Sequence, residues 1–192
     1  MADFSEIALV LLGAGVSRRF GGDKLAARLG GEPVLRFSAG LYAALPFKRR
    51  IAVLGPGTAG VADLGFREVR REEAEAPMAA SLAAGIEALG ADEPGGIMIA
   101  LADMPLVTPA HLGALAAAYD GTGPVCSELD GAPCPPAIFP TAMKSALAVR
   151  EGDHGARALL ADALRIAAGE EVLIDIDTPE ALARAETLLN LR

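Results

Sequence analysis

Two six-residue runs, Ile7–Leu12 and Ile97–Ala102, are apolar throughout, without the alternation of a strand that shows one face to water. A strand covered on both faces has no polar side to display, so these runs predict two central, adjacent, parallel strands flanked by helical layers. Apolar residues at helical spacing predict the helices. Val34, Phe37, Leu41 and Leu45 mark one that ends at Pro46, and Met78, Leu82, Ile86 and Leu89 mark a second, with Ser81 and Gly85 beside its apolar face. Thr108 and Pro109 supply the N-cap and first turn of a third, continued by Leu112, Leu115 and Tyr119. Thr178 caps a last helix carrying Leu182, Ala185 and Leu189. Shorter strands are expected at Ile51–Leu54 and Phe66–Val69, and a final one at Val172–Ile174, so strands and helices alternate along the chain.

Two stretches break this rhythm. The charged run 70–76 reads as a solvated connection. Residues 121–140 hold five prolines and three glycines, which predicts a long irregular segment with strand character only at Val125 and at Ala137, Ile138 and Phe139. A helix should open at residues 152–157, with Asp153 as its cap.

The first apolar run leads directly into Gly13-Ala14-Gly15-Val16-Ser17-Arg18-Arg19-Phe20-Gly21-Gly22-Asp23-Lys24. Glycines let the backbone turn closely around a ligand, and Ser17, Arg18, Arg19 and Lys24 offer donors to anionic oxygens. A nucleotide is the natural guest. The loop is not a Walker motif, since Lys24 follows Asp23, and Arg18 stands where a dinucleotide fingerprint needs its third glycine. Asp103, at the carboxyl end of the second apolar run, lies where open α/β sheets bind ligands.

Composition narrows the partners. The 192 residues are 52% hydrophobic with a mean hydropathy of +0.37, enough for one sizeable core, and the whole chain, residues 1–192, is expected to form a single domain. A net charge of −8 and a pI near 4.8 argue against a broad nucleic-acid-binding surface. Apolar runs of six to eight residues are too short to cross a membrane, and the basic start of a secretory signal is missing, so a cytoplasmic protein is expected. Seventeen Lys and Arg include only three lysines, at positions 24, 48 and 144. Arg18, Arg19 and Lys24 therefore form a local positive focus suited to a compact anion. Cys126 and Cys134 lack CxxC spacing and read as small apolar fillers, and Lys48-Arg49-Arg50 as a solvated edge.

Taken in order, the loop read as Leu12-Gly13-Ala14-Gly15-x-Ser17-x-Arg19-Phe20-Gly21-x-x-Lys24, Met78-x-x-Ser81-Leu82-x-x-Gly85, Leu101-Ala102-Asp103-Met104-Pro105, Pro136-x-x-Phe139, Gly152-Asp153-x-Gly155-Ala156-Arg157 and Asp175-Ile176-Asp177-Thr178-Pro179-Glu180 resemble the signature of the molybdenum-cofactor nucleotidyltransferases. The resemblance spans nearly the whole chain, and the Gly-Asp-x-Gly-Ala-Arg element looks most like the branch that attaches CMP to molybdopterin. The chain departs from that family at Gly13, usually Ala, at Pro77, usually Gly, and at Cys134-Pro135, usually Gly-His.

The resemblance implies a Rossmann-like three-layer α/β/α fold with a mostly parallel sheet of the nucleotide-diphospho-sugar transferase type. It implies an NTP and Mg²⁺ bound across the carboxyl ends of the strands. Leu12, Gly13, Ala14, Gly15, Ser17 and Ser81 would hold the nucleotide, with Arg19 and Lys24 on its phosphates. Arg19, Lys24 and Asp103 would be catalytic, and Asp103 and Asp177 would bind the metal, Asp177 being preferred to Asp175. CTP is favoured over GTP, the acceptor is of molybdopterin type, and a molybdoenzyme or chaperone is the expected protein partner. Two rival readings are a non-catalytic carrier or insertion chaperone with the same pocket, and an NAD(P)-binding oxidoreductase.

Overall fold

The computed structural model describes residues 3–15, 19–73, 77–91, 93–149 and 155–191. Its centre is β1 (Ile7–Gly13), buried along its whole length between two parallel neighbours, β4 (Arg49–Leu54) and β6 (Gly96–Leu101). Side chains of β1 alternate between two hydrophobic clusters. Ile7, Leu9 and Leu11 face one that includes Leu35, Ala39 and Tyr42 of α1 (Val34–Ala43), Leu112 and Leu115 of α3 (Pro109–Ala118) and Ala185 of α6 (Pro179–Asn190). Ala8, Val10 and Leu12 face the other, which includes Leu82 and Ile86 of α2 (Met78–Glu87) and Leu147 of α4 (Lys144–Leu147). The absence of polar positions along β1 follows from having helices on both sides.

The main sheet has seven strands in the order β5-β4-β1-β6-β8-β7-β9, where β5 is Arg67–Arg70, β7 Val125–Leu129, β8 Ala132–Pro140 and β9 Leu164–Ala167. Six strands share one direction and β8 opposes them. A small ladder of β2 (Arg28–Leu29) and β3 (Glu32–Pro33) follows the glycine-rich loop. The chain thus has the expected Rossmann-like, three-layer α/β/α architecture.

Gly85 carries a packing requirement, because a Cβ there would lie 2.4 Å from Val10 Cγ1 and 3.0 Å from Val53 Cγ2. Only a bare backbone lets α2 lie this close to β1 and β4. Ser81 is buried too, in contrast to a surface hydroxyl, whereas Met78, expected on the buried face, is 61% exposed. The N-caps behave as expected: Thr108 Oγ1 accepts from His111 N and Thr178 Oγ1 from Ala181 N, each at 3.2 Å.

Three expectations from the pattern need correction. Residues 121–140 are ordered strand and turn, with β7 and β8 joined by Asp130 and Gly131 at φ 50° and 79°. An Asp-Gly pair with positive φ at both residues makes the two-residue turn whose twist matches a hairpin. Three of the prolines are tolerated because β8 pairs with β6 only over Ala137–Pro140. Pro133, Pro135 and Pro136 lie on an overhang that has β7 on one side alone, where a missing N–H costs no second ladder. The Pro135–Pro136 peptide is cis, and β7 bulges between Cys126 and Ser127.

The second correction is at Glu170–Leu173, a short helix, α5, where a strand was expected. The seventh strand is instead β9, which pairs with β7 after a 3₁₀ turn at Gly155–Leu160. Asp153 lies outside the described residues. Thirdly, Cys126 is fully buried as expected, but Cys134 is only partly so.

Beneath the overhang, Ser127 Oγ donates to Pro136 O at 2.9 Å, which uses its one proton, so His111 Nε2, at 2.8 Å, is the donor to Ser127 Oγ. Burial holds the His111 pKa below its ordinary value.

Candidate active site

At the carboxyl edge of the sheet, β1 and β6 end side by side, with Ala102 N donating to Leu12 O at 2.9 Å. Ser38 of α1 adds a buried bond from Oγ to Ala102 O at 2.8 Å, which fixes the residue before Asp103. The chain then passes through β7–β9 and returns, with Ile176 N donating to Asp103 O at 2.9 Å. That bond seats the C-terminal segment against the end of β6. Ile174 and Ile176 are buried there, so Asp175 and Asp177, two residues apart and out of phase with them, both turn to the Asp103 side. The alternation Ile-Asp-Ile-Asp does by local backbone what was expected of a strand. Oxygen atoms of Asp103, Asp175 and Asp177, one from each, lie within 4.8 Å of one another.

Lys24 enters this cluster from the glycine-rich loop. Asp23 Oδ1 accepts from the Leu25 and Ala26 amides at 3.0 and 3.3 Å, and Leu25 is buried, so Lys24 is held between a capped turn and a core anchor. Its side chain is only 8% exposed. The ammonium donates to Asp177 Oδ1 at 2.7 Å, contacts Asp103 Oδ2, and stands 3.9 Å from Asp175 Oδ1. Arg19, mostly exposed, pairs with Asp177 Oδ2.

The electrostatics follow from this crowding. Burial alone would lower the Lys24 pKa, but the charge of Asp103 and hydrogen bonds to Asp103 and Asp177 raise it above the usual lysine value. Burial works against ionised Asp177 too, and is outweighed by Lys24 and Arg19, which hold its carboxyl below the usual range. For Asp175, burial and then the negative charge of Asp103 push the pKa up to about 7, although nearly half its side chain remains open to solvent. Asp103 Oδ1 is buried with no hydrogen-bond partner.

An orphaned carboxylate oxygen and two further carboxylates suit a hard divalent cation, which takes oxygen donors and fills its remaining positions with water or phosphate. Asp103, Asp175 and Asp177 are the residues that could hold it. Asp103 and Asp177 thus meet as expected, though Asp177 follows α5 rather than a strand. Asp175, set aside in favour of Asp177, joins them, and the Asp-x-Asp spacing in a segment with apolar residues between was the signal for it.

The other expected residues are placed as follows. Leu12, Gly13 and Ala14 are buried at the end of β1. A Cβ on Gly13 would lie 3.2 Å from side chains of both Leu25 and Leu54, so packing accounts for this glycine. Gly15 is exposed, with open space where a Cβ would stand. Ser17 lies outside the described residues. Ser81 is buried on α2 and, among the described residues, makes no side-chain hydrogen bond to the carboxylate cluster.

The chain is similar to several known proteins. The sequence profile of the "MobA-like NTP transferase domain" matches residues 9–169, which includes Lys24 and Asp103 and stops short of Asp175 and Asp177. The chain is 34% identical to the purine catabolism protein PucB of Bacillus subtilis (strain 168), over 89% of this chain and 91% of that protein. Among solved structures it is similar to Rv0371c of Mycobacterium tuberculosis H37Rv, at 25% identity and a TM-score of 0.81, covering 94% of this chain and 98% of that one. A structure of Rv0371c in complex with manganese aligns over 94% and 98% of the two chains, at 23% identity and a TM-score of 0.77, and shares the fold. The profile match and the PucB relationship together show that this chain belongs to the MobA-like NTP transferase family, the molybdenum-cofactor nucleotidyltransferases its motifs resemble, and is a nucleotidyltransferase.

Proposed function

We propose that the chain, acting in the cytoplasm as one domain over residues 1–192, transfers CMP from CTP to the phosphate of a molybdopterin-type acceptor with the aid of Mg²⁺. The observation that carries the reading is the meeting of Lys24, Arg19 and three carboxylates at the carboxyl edge of the sheet, beside the glycine-rich loop. An acceptor phosphate is already anionic at neutral pH, so it attacks the α-phosphorus without a side-chain base. A bond forms from the acceptor oxygen to the α-phosphorus, the bond from that phosphorus to the bridging oxygen breaks, and pyrophosphate leaves with the electron pair. Arg19 and Lys24 neutralise charge gathering on the departing oxygens. Asp103 and Asp177, with Asp175 as a third carboxylate, would hold Mg²⁺, which when bound supplies further charge neutralisation and aligns the phosphates.

CTP is favoured because the Gly152-to-Arg157 element looks like that of the cytidylyl branch. The manganese complex of Rv0371c, which shares the fold, supports a metal-assisted reaction. The test is pyrophosphate release with each of the four NTPs, Mg²⁺ and extracted molybdopterin. Release with CTP well above the others is expected. A clear GTP preference overturns the choice of base, and tight nucleotide binding with no release under any condition overturns catalysis in favour of a carrier.

A further inference from the structure

The Lys24 ammonium and a divalent cation require the same oxygens. Nζ contacts Asp103 Oδ2, lies 2.7 Å from Asp177 Oδ1 and is 3.9 Å from Asp175 Oδ1. A Mg²⁺ ion bonded to these carboxylates at about 2.1 Å would stand within a few ångströms of a full positive charge. Lys24 is almost wholly shielded from solvent, so that repulsion would be weakly screened. The opposite arrangement is no better: clustered carboxylates without any cation repel one another and lose the partner that offsets their burial. The oxygens that Nζ contacts therefore favour one cation at a time, while the mostly exposed Arg19 pairs with the other oxygen of Asp177.

The backbone around Lys24 is fixed by the Asp23-capped turn and by the Leu35 N to Leu25 O bond at 3.1 Å, but its four-carbon stem is not part of that framework. Rotation of the stem would move Nζ off the carboxylates with the turn intact. We infer that Lys24 is an internal counter-ion that closes the metal site to a bare divalent cation, and that a triphosphate opens the site by drawing the ammonium onto itself. The inference rests on the nucleotidyltransferase reading above and adds an order of events to it. The metal is admitted together with, or after, the nucleotide, and by linkage each raises the affinity of the other.

With only three lysines in the chain, the exchange is directly observable. Protein labelled with ¹³C and ¹⁵N at lysine is titrated with Mg²⁺ without nucleotide, and Mn²⁺ binding to the unmodified protein and to Lys24→Met is measured by calorimetry. Lys24→Met should bind Mn²⁺ roughly tenfold tighter or more. The Lys24 side-chain signal should move as high Mg²⁺ is forced on, while those of Lys48 and Lys144 stay in place. Equal Mn²⁺ affinity of the two proteins, or a Lys24 signal that stays still at metal saturation, overturns the counter-ion role and leaves the reaction untouched. If Lys24→Met does not fold, the lysine signals of the unmodified protein decide alone. Failure of the unmodified protein to bind NTP and metal in any combination overturns the nucleotidyl-transfer reading, and this inference with it.

Discussion

The half of the sheet built on β5, β4, β1 and β6 and the half built on β8, β7 and β9 solve different problems. In the first, parallel strands are connected through helices that cover both faces, and β1 and β6 answer with uniform apolar runs. In the second, two strands are joined by a two-residue turn, one runs against all the others, and its overhang carries prolines. A strand flanked by strands and helices has little freedom of composition, whereas an overhang with a single neighbour needs only the right turn and a few paired amides. The site unites the two halves. Lys24 and Asp103 come from the first, and Asp175 and Asp177 come from the segment to which the second delivers the chain.

The largest expected effect tests that union. Asp103→Asn and Asp177→Asn should each lower metal-dependent turnover by about two to three orders of magnitude, with folding retained on thermal denaturation. Parental activity of both variants at low Mg²⁺ would refute the shared metal site. A loss confined to Asp103→Asn would place the chemistry in the first half alone.

Next in size is a change to the packing of that first half. Gly85→Ala gains about 1 kcal/mol in helix propensity, but its Cβ collides with Val10, a stiff side chain on a buried strand. Overpacking of this kind costs about 1–3 kcal/mol, so urea denaturation should show a net loss of stability. A variant as stable as the parent would mean that α2 can move away from β1, and the first half would be less tightly determined than its sequence suggests.

The smallest effect belongs to the second half and is read from pH. His111 is buried with its pKa held below the unfolded value, so between the two values the unfolded chain binds more protons. Its contribution is full above the unfolded pKa of about 6.5 and is lost as pH falls below that value toward the folded one. His111→Gln, which can still donate to Ser127, should flatten the decline in denaturation midpoint below pH 6.5. An unchanged slope would show that the histidine is not what couples this half to acid.

By itself the sequence determined the central strands, the helices that cover them and both threonine caps, while the resemblance of its motifs pointed to Asp103 and Asp177 as a pair and to Lys24 as a phosphate ligand. Those features are set by local period or by short-range capping, and the glycine-rich loop carries its cations in one stretch. The Asp130-Gly131 turn was missed in the segment expected to be irregular, because the tolerance of the surrounding prolines depends on which strand has a neighbour. Only the tertiary structure decided that β8 lies between β6 and β7, that Glu170–Leu173 is helical, and that Asp175 shares the cluster. It also decided that Ser81 is buried and that Lys24 lies among the carboxylates. The site in particular depends on contacts between residues far apart in the chain, from Ser38 and Ala102, separated by 64 in sequence, to Lys24 and Asp177, separated by 153. Local propensity holds no record of partners at such distances, and those partners decide which charges meet.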